Sequence, residues 1–314
     1  MTEVPADLAP YAARIPALAT ATITAVDRLA GLTNVNYRVE ADGVRYAVRL
    51  PGHGTHEYID RAVEEVAARS AAAADVNAPV DFFDPADGLM MTRFIDGALT
   101  MSGDRFRDHG AVARAARAFR SLHDTARSFA TDFQLFPMID EYKALLASKG
   151  ARLPDGYEDM QLQADAARQA LESHPVALVP CHCDPLCENF LDTGEWMFII
   201  DYEYAGNNDP MWDLGDLSVE AGFDAGQDGV LMRAYFDGAP PVDQVGRMVV
   251  YKALCDLLWT LWGVIQHVNG NTAEDFWAYA IGRFERCRTL MATPTFAGHV
   301  AAIRGASSAS TAQS

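Results

Sequence analysis

The stretch HCDPLCEN at residues 182–189, followed by Asp201, decides the fold. Between them, NFLDTGEWMFII has the alternation and turn residues of a small β-hairpin. Phosphoryl transfer from ATP needs one carboxylate for the acceptor's hydroxyl proton and two oxygen ligands for Mg²⁺. This ordered set predicts Asp184 as the catalytic residue, with Asn189 and Asp201 as the metal ligands. Each residue alone would be uninformative, because an aspartate at a strand end is usually a turn or cap residue.

Upstream of this loop, the chain is β-like from Ile23. ITAVDRL, NYRVEA and VRYAVRL predict strands, and Asp42-Gly43 between the last two predicts a hairpin. An alanine-rich helix is expected from Glu57 to Ala74. Two short strands around VDFF and GLMMTRFI follow, separated by the turn DPADG. The sequence therefore predicts an antiparallel sheet that carries one main helix.

After Gly97, helical patterns dominate the sequence. They predict helices at about 104–126, 139–148, 156–173, 210–221, 226–236, 242–269 and 273–291. The expected fold class is α+β with two lobes: a β-rich lobe at 1–95, a larger helical lobe at 96–304 and a frayed tail at 305–314. The boundary should fall near Arg93–Gly97.

The charged residues of the chain indicate which kinds of binding partner are compatible with it. The 25 Lys and Arg against 43 Asp and Glu give a formal charge of −18. That charge argues against nucleic acid and an anionic membrane surface, and it favours a cationic substrate. No uninterrupted apolar run reaches the roughly 18 residues needed to span a bilayer, and the N-terminus does not read as a signal peptide. We expect a cytoplasmic protein without membrane insertion. Its oligomeric state is not readable.

The five cysteines do not suggest a disulfide framework. Cys181, Cys183 and Cys187 flank His182, but their spacing is not that of a zinc knuckle. We expect them to be reduced side chains in a packed loop.

The loop between the first two predicted strands reads Gly31-Leu-Thr-Asn34-Val-Asn36. Small and turn-forming residues there let backbone amides approach phosphates, so Asn34 and Asn36 are candidate ATP-binding residues. The loop is not a Walker sequence.

The catalytic stretch resembles that of the aminoglycoside phosphotransferase and choline kinase superfamily, which has a protein-kinase-like fold. DYEYAG from Asp201, the Asp213-Leu-Gly segment and the downstream Glu220 are similar to choline and ethanolamine kinases. WTLWGVIQ at 259–266 and YAIGRF at 279–284 extend the resemblance. One departure is Cys183, where the family often has Asn.

The resemblance implies roles for further residues. Arg49 would hold the ATP phosphates, paired with Glu64, with Arg61 nearby, and the segment from Thr92 to Ile95, including Phe94, would receive adenine through its backbone. His182 and Asp213 would be structural. The implied cage for a small cationic alcohol consists of Glu203, Tyr204, Glu220, Trp259, Trp262 and Tyr279.

Three functions fit the sequence. The first is a kinase for choline or a similar amino alcohol, with ATP and Mg²⁺ as cofactors. The second is a kinase for another small alcohol, such as thiamine, an aminoglycoside or an amino sugar. The third is a nucleotide-binding pseudokinase, which would usually have lost Asp184, Asn189 or Asp201. Core packing is the alternative role for Trp259 and Trp262.

Overall fold

The N-terminal part of the chain forms a five-stranded antiparallel sheet. The computed structural model describes residues 4–29, 34–52 and 59–305. Two single-turn helices precede the sheet, whose strand order is β1-β2-β3-β5-β4. The elements are α1 (Ala9–Ala12), α2 (Pro16–Ala19), β1 (Ile23–Leu29), β2 (Val35–Ala41), β3 (Val44–Leu50), α3 (Arg61–Ala73), β4 (Val80–Asp84) and β5 (Leu89–Arg93).

The turn between β2 and β3 is the one that the sequence predicts. Asp42 and Gly43 both have positive φ, at 49° and 79°. A two-residue hairpin with this geometry matches the right-handed twist of its strands. Ala41 pairs with Val44 beside the turn, and this register places Asn36 opposite Arg49 at the other end of the hairpin. The turn therefore fixes which residues reach the open end of the sheet.

Helix α3 links the sheet to the rest of the molecule. Asp60 begins it, because its carboxylate accepts hydrogen bonds from the backbone N–H groups of Ala62 and Val63 at 3.0 and 3.2 Å. Its predicted start at Glu57 lies outside the described residues. Ala67 and Ala71 are fully buried in the core of the C-terminal part. Since alanine allows close approach, Glu64 on this helix is held firmly against the larger core.

The C-terminal part is mostly helical. Its elements are β6 (Leu99–Thr100), α4 (His109–Thr125), α5 (Leu135–Ser148), α6 (Tyr157–Ser173), β7 (Val179–Cys181), β8 (Phe190–Asp192), β9 (Met197–Ile199), β10 (Gly206–Asn208), α7 (Pro210–Glu220), α8 (Ala225–Phe236), α9 (Val242–Val268), α10 (Phe276–Met291) and α11 (Phe296–Arg304). Helix α9 lies at the centre and packs against α5, α7, α10 and α11. By length and composition it could cross a bilayer, but 83% of its apolar window is buried inside the protein.

The structure agrees with the predicted element types and differs at several boundaries. The predicted hairpin after the catalytic loop is β8–β9. Helix α11 was not predicted, although Phe296, Val300 and Ile303 are buried at helical spacing. The predicted helix at 104–126 is divided into a short 3₁₀ turn, Arg105–Arg107, and α4. The predicted tail lies outside the described residues after Gly305.

Candidate active site

The backbone of the catalytic loop is fixed by Asp213, which is fully buried on α7. Its two carboxylate oxygens accept hydrogen bonds from the backbone N–H groups of His182 at 2.7 Å and Cys183 at 2.8 Å. The His182 ring lies 2.9 Å from the carbonyl oxygen of Ile200, beside Asp201. The two predicted structural residues thus connect the catalytic loop to the helix behind it and to the hairpin beside it.

Cys183 turns the chain immediately before Asp184. Its φ is 67°, a region that non-glycine residues seldom occupy and in which Asn is enriched. The side chain is fully buried, and its sulfur lies 3.7 Å from the carbonyl oxygen of Gly206 and 3.9 Å from the amide of Asn208. Burial raises the pKa of the thiol well above its ordinary value. The departure from Asn therefore affects packing behind the loop rather than the reacting side.

Asp184 and Asp201 lie in one crowded acidic site. Loss of hydration, followed by the negative charges of Glu220 and Asp201, raises the pKa of Asp184 to about 8. The Asp201 side chain is 38% exposed within the cleft. Loss of hydration there, followed by repulsion from Glu203, raises the pKa of Asp201 to about 7. Neighbouring arginines compensate this negative charge only in part, and a bound cation would offset the rest.

Asn189 supplies the second predicted metal ligand. Its side-chain nitrogen donates to the Asp184 carbonyl at 3.1 Å, which orients the amide and leaves its oxygen for a cation. The backbone carbonyl of Asn189 accepts a hydrogen bond from the N–H of Ile200 at 2.9 Å, which connects the loop to the strand that leads to Asp201. Carboxylate and amide oxygens are the ligands that Mg²⁺ prefers. These residues fit that ion.

Two arginines and Glu64 converge on the cleft from the N-terminal lobe. Glu64 contacts both guanidinium groups, with Arg61 at 2.6 Å. Arg49 lies 3.3 Å from the carboxylate of Asp201 and 3.1 Å from the Gly88 carbonyl. All three side chains are at least nine-tenths buried. The sequence-based pairing of Arg49 with Glu64 is present, and it leaves two cationic groups next to Asp201.

Glu203 lies beside the two arginines of the N-terminal lobe rather than among the aromatic residues. Its carboxylate accepts from the Asn34 amide at 2.6 Å and lies 3.0 Å from Arg61 and 3.3 Å from Arg49. Asn34 in turn accepts from the N–H of Gly52 at 2.9 Å. The structure thus places Glu203 apart from the other expected cage residues, because the chain turns back toward the sheet after Asp201.

The remaining expected cage residues share one wall. The Tyr204 ring contacts Trp259 edge-on at 5.8 Å, and Trp259 contacts Trp262 at 6.3 Å. Trp262 also meets Tyr279 at 5.7 Å. Four rings from three segments therefore form one continuous aromatic cluster, joined by Phe276 at 5.6 Å from Trp262.

The acidic member of this wall, Glu220, is paired in the structure. It contacts Arg283, whose guanidinium also lies over the Tyr279 ring at 4.9 Å and 3.3 Å from Asp256. The guanidinium occupies the position over a ring face that a small cation would favour. Sequence reasoning noted Arg283 only as part of a family segment.

In the segment from Thr92 to Ile95, which is expected to receive adenine, at least one backbone donor is already paired. Thr92 is buried in β5, and the Phe94 N–H already donates to the Arg45 carbonyl at 3.1 Å. The Phe94 ring lies 5.7 Å from the Arg38 guanidinium. Adenine contacts would therefore fall to other backbone groups of the segment. Asn36 remains at the open end of the β2–β3 hairpin, opposite Arg49.

One buried connection was missed altogether. His123 on α4 lies 3.1 Å from Asp213 and 2.9 Å from the Tyr235 hydroxyl. These residues are far apart in the sequence, on α4, α7 and α8, so their contact could not be predicted without the structure. The link supports the carboxylate that fixes the catalytic loop.

Comparisons with known proteins agree with this geometry. Residues 24–245 match the phosphotransferase enzyme family. The crystal structure of a choline/ethanolamine kinase family protein from Mesorhizobium loti is 52% identical, covers 95% of this chain and 98% of its own, and has a TM-score of 0.88. Choline kinase LicA from Streptococcus pneumoniae is 26% identical, with coverages of 86% and 94% and a TM-score of 0.72. A LicA complex with AMP is 26% identical, with coverages of 87% and 93% and a TM-score of 0.69.

The predicted two-lobed α+β fold and the predicted resemblance are both confirmed by these similarities. The matched region includes the catalytic loop, the cationic cluster of the N-terminal lobe and Glu220. The chain is thus a phosphotransferase with an alcohol group as acceptor. It belongs to the phosphotransferase enzyme family and, by its 52% identity to the Mesorhizobium loti protein, to the choline/ethanolamine kinase family.

Proposed function

We propose that this enzyme uses ATP and Mg²⁺ to phosphorylate the hydroxyl group of choline or a similar amino alcohol. The observation that carries the proposal is the position of Asp184 between two unlike surroundings. The charges that act on its carboxyl come from Asp201 and Glu203 on the phosphate side, and from Glu220 and Arg283 on the aromatic side. A phosphate donor on one side and a cationic alcohol on the other would meet at this carboxylate.

On the donor side, Arg49 and Arg61 would hold ATP phosphates, and Asn189 and Asp201 would hold the metal. The arginines are already buried and fixed by Glu64, so little conformational freedom remains to be lost on binding. Mg²⁺, when bound, supplies positive charge that offsets the charge of the transferred phosphoryl group. Asn34 and Asn36 lie at the same end of the sheet.

On the acceptor side, Asp184 would take the proton of the hydroxyl group. In the empty site the raised pKa favours the protonated form of this carboxyl, and the positive charge of Mg²⁺ and of a cationic acceptor would favour the ionised form, which can take the proton. The ring faces of Tyr204, Trp262 and Tyr279, together with Glu220, would hold the cationic end of the acceptor. These assignments leave His182 and Asp213 as support for the loop.

A coupled assay of ADP release tests the proposal directly. Choline, ethanolamine, thiamine, hexosamines and aminoglycosides are compared at equal concentration with Mg²⁺ present. We expect turnover with choline or ethanolamine that stops in excess EDTA. Turnover confined to a sugar or an aminoglycoside would contradict the acceptor assignment, and nucleotide binding without turnover on any alcohol would indicate a pseudokinase. Cytoplasmic location stays a prediction.

A further inference from the structure

The two arginines of the cleft share a support in the turn between β4 and β5. Arg49 donates to the backbone carbonyl of Gly88 at 3.1 Å. The side chain of Arg61 lies across the same residue, so that a Cβ atom at Gly88 would come within 2.5 Å of the Arg61 Nε and 2.7 Å of its Cδ. Carbon atoms in contact lie about 3.5–4.0 Å apart, so no side chain fits there while Arg61 keeps its place. Both guanidinium groups therefore rest on one position of this turn.

Gly88 meets two separate requirements. Its φ is 87°, in the left-handed region, and its N–H donates to the Asp84 carbonyl at 2.8 Å, which closes the turn. That backbone conformation would also admit asparagine or aspartate, which occupy the region more readily than other side chains do. The space beside Arg61 admits neither, because both have a Cβ atom. The turn requires a residue that tolerates positive φ, whereas the neighbouring arginine requires glycine.

The turn is held in place by contacts of its other residues. Arg14, between α1 and α2, pairs with Asp84 and Asp87 at 2.6 Å each. The Asp87 carboxylate also accepts from the N–H of Leu89 at 3.1 Å, and Leu89 is fully buried in the core of the sheet. Moving the turn to make room for a Cβ atom at Gly88 would disrupt these contacts.

Arg61 is the group that would move instead. Its side chain is 4% exposed and is held by Glu64 at 2.6 Å and by Glu203 at 3.0 Å. An arginine side chain has several rotatable bonds, so it yields to an added methyl group more easily than the backbone of a paired turn does. A shift at Nε moves the whole guanidinium group, because that group is planar and rigid. A side chain at Gly88 would thus displace the cation that is assigned to phosphate while the fold remained.

We propose that Gly88 is a positioning residue for ATP binding. Its missing side chain sets the place of the Arg61 guanidinium, and its carbonyl oxygen sets that of Arg49. This inference rests on the proposed function, from which it takes the role of the two arginines, and it extends the phosphate site to the β4–β5 turn. Gly88 acts through the arginines and needs no contact with the nucleotide.

The test compares two glycines in turns of the same sheet. Gly88→Ala should raise KM for ATP, and the Kd for ATP with Mg²⁺ in a calorimetric titration, about tenfold, since a displaced guanidinium loses its charge-assisted contacts. KM for the alcohol should stay near the wild-type value. Gly43→Ala is the matched control, because Gly43 has a similar φ of 79° but no atom of the described residues within 4 Å of its Cβ position. It has the same backbone strain without the crowding, so both KM values should remain unchanged.

A double-variant cycle isolates the contact between Gly88 and Arg61. In an Arg61→Ala background the atoms that a Cβ at Gly88 would meet are gone, so adding Gly88→Ala should change the Kd for ATP by less than about twofold. Gly88→Asn is a second variant that keeps the test open if Gly88→Ala does not fold. Asparagine tolerates the positive φ, but its Cβ meets Arg61, so ATP binding should weaken as it does with alanine.

Wild-type affinity for ATP in Gly88→Asn, or a loss in Gly88→Ala no greater than that in Gly43→Ala, would overturn the inference while the proposed function stands. Additive effects of Arg61→Ala and Gly88→Ala would also overturn it. Unchanged affinity in Arg61→Ala would refute the role of that arginine and the inference together. The titration needs no turnover. If the wild type fails on every alcohol, the proposed function is refuted, and the cycle on ATP affinity still shows whether Gly88 positions Arg61.

Discussion

At the level of single residues, Asp184 combines a raised pKa with a partly buried position in the catalytic loop. Its neighbours fix the backbone on both sides, through Asp213 before it and Asn189 after it. Asp184→Asn should therefore keep the fold and the affinity for ATP while kcat falls about 10²–10⁴-fold, the usual range for a lost general base. Steady-state kinetics and nucleotide titration measure both. Turnover near the wild-type value would remove Asp184 from the mechanism.

Glu203 gives a second prediction at this scale. Because it contacts Arg49, Arg61 and Asn34, it should position the groups that receive ATP. Glu203→Gln keeps the length of the side chain but loses the charge, and we expect KM for ATP to rise severalfold more than KM for the alcohol. Arg49→Ala should move KM in the same direction. A rise confined to the alcohol would restore the sequence-based assignment of Glu203 to the cage.

The position of Glu203 shows which part of the site could not be predicted from the sequence. The order of Asp184, Asn189 and Asp201 was readable, because the chemistry requires those residue types in a loop and at a strand end. The side to which Glu203 turns was not readable, since it depends on where α3 places Arg61 against the C-terminal part. The burial of Asp216 was not readable for a similar reason, because an acid on a helix looks like a surface residue until α9 covers it.

At the level of elements, α9 carries Trp259 and Trp262, which could serve either substrate binding or core packing. The predicted helix at 242–269 differs from α9 by one residue at the C-terminal end, because the apolar pattern continues along the whole helix. Trp259 is 5% exposed and Trp262 is only partly buried, so the two have different surroundings. Periodicity could not distinguish them, since i and i+3 share one side of a helix.

Trp262→Ala should raise KM for the amino alcohol about tenfold, since a desolvated ring face contributes about 0.5–2 kcal/mol to binding a cation. KM for ATP should change little. Trp277→Ala is the matched control, because Trp277 lies on α10 against His267 rather than in the cluster around Trp262. Equal effects of the two substitutions on KM for the alcohol would show that Trp262 serves packing alone.

At the level of the whole molecule, part of the negative charge belongs to carboxyls that the fold buries. The formal charge of −18 is accompanied by buried carboxyls such as Glu64 at the cleft and Asp216 on α7, each 1% exposed. A buried carboxyl whose charge is not fully compensated opposes folding when it is ionised. The empty protein should thus be less stable at alkaline pH than its core alone would make it.

Asp216 allows that cost to be measured. Burial, then the charge of Glu220, raises its pKa well above the ordinary value, so the folded chain keeps a proton that the unfolded chain loses above about pH 4. The folded state binds more protons in this window, and the free energy of unfolding must fall as pH rises. Asp216→Asn removes this contribution. In thermal unfolding without nucleotide or metal, the Tm of the variant relative to the wild type should be higher at pH 8 than at pH 5 by at least about 2 °C. A difference that is the same at both pH values would mean that Asp216 is already ionised in the folded protein.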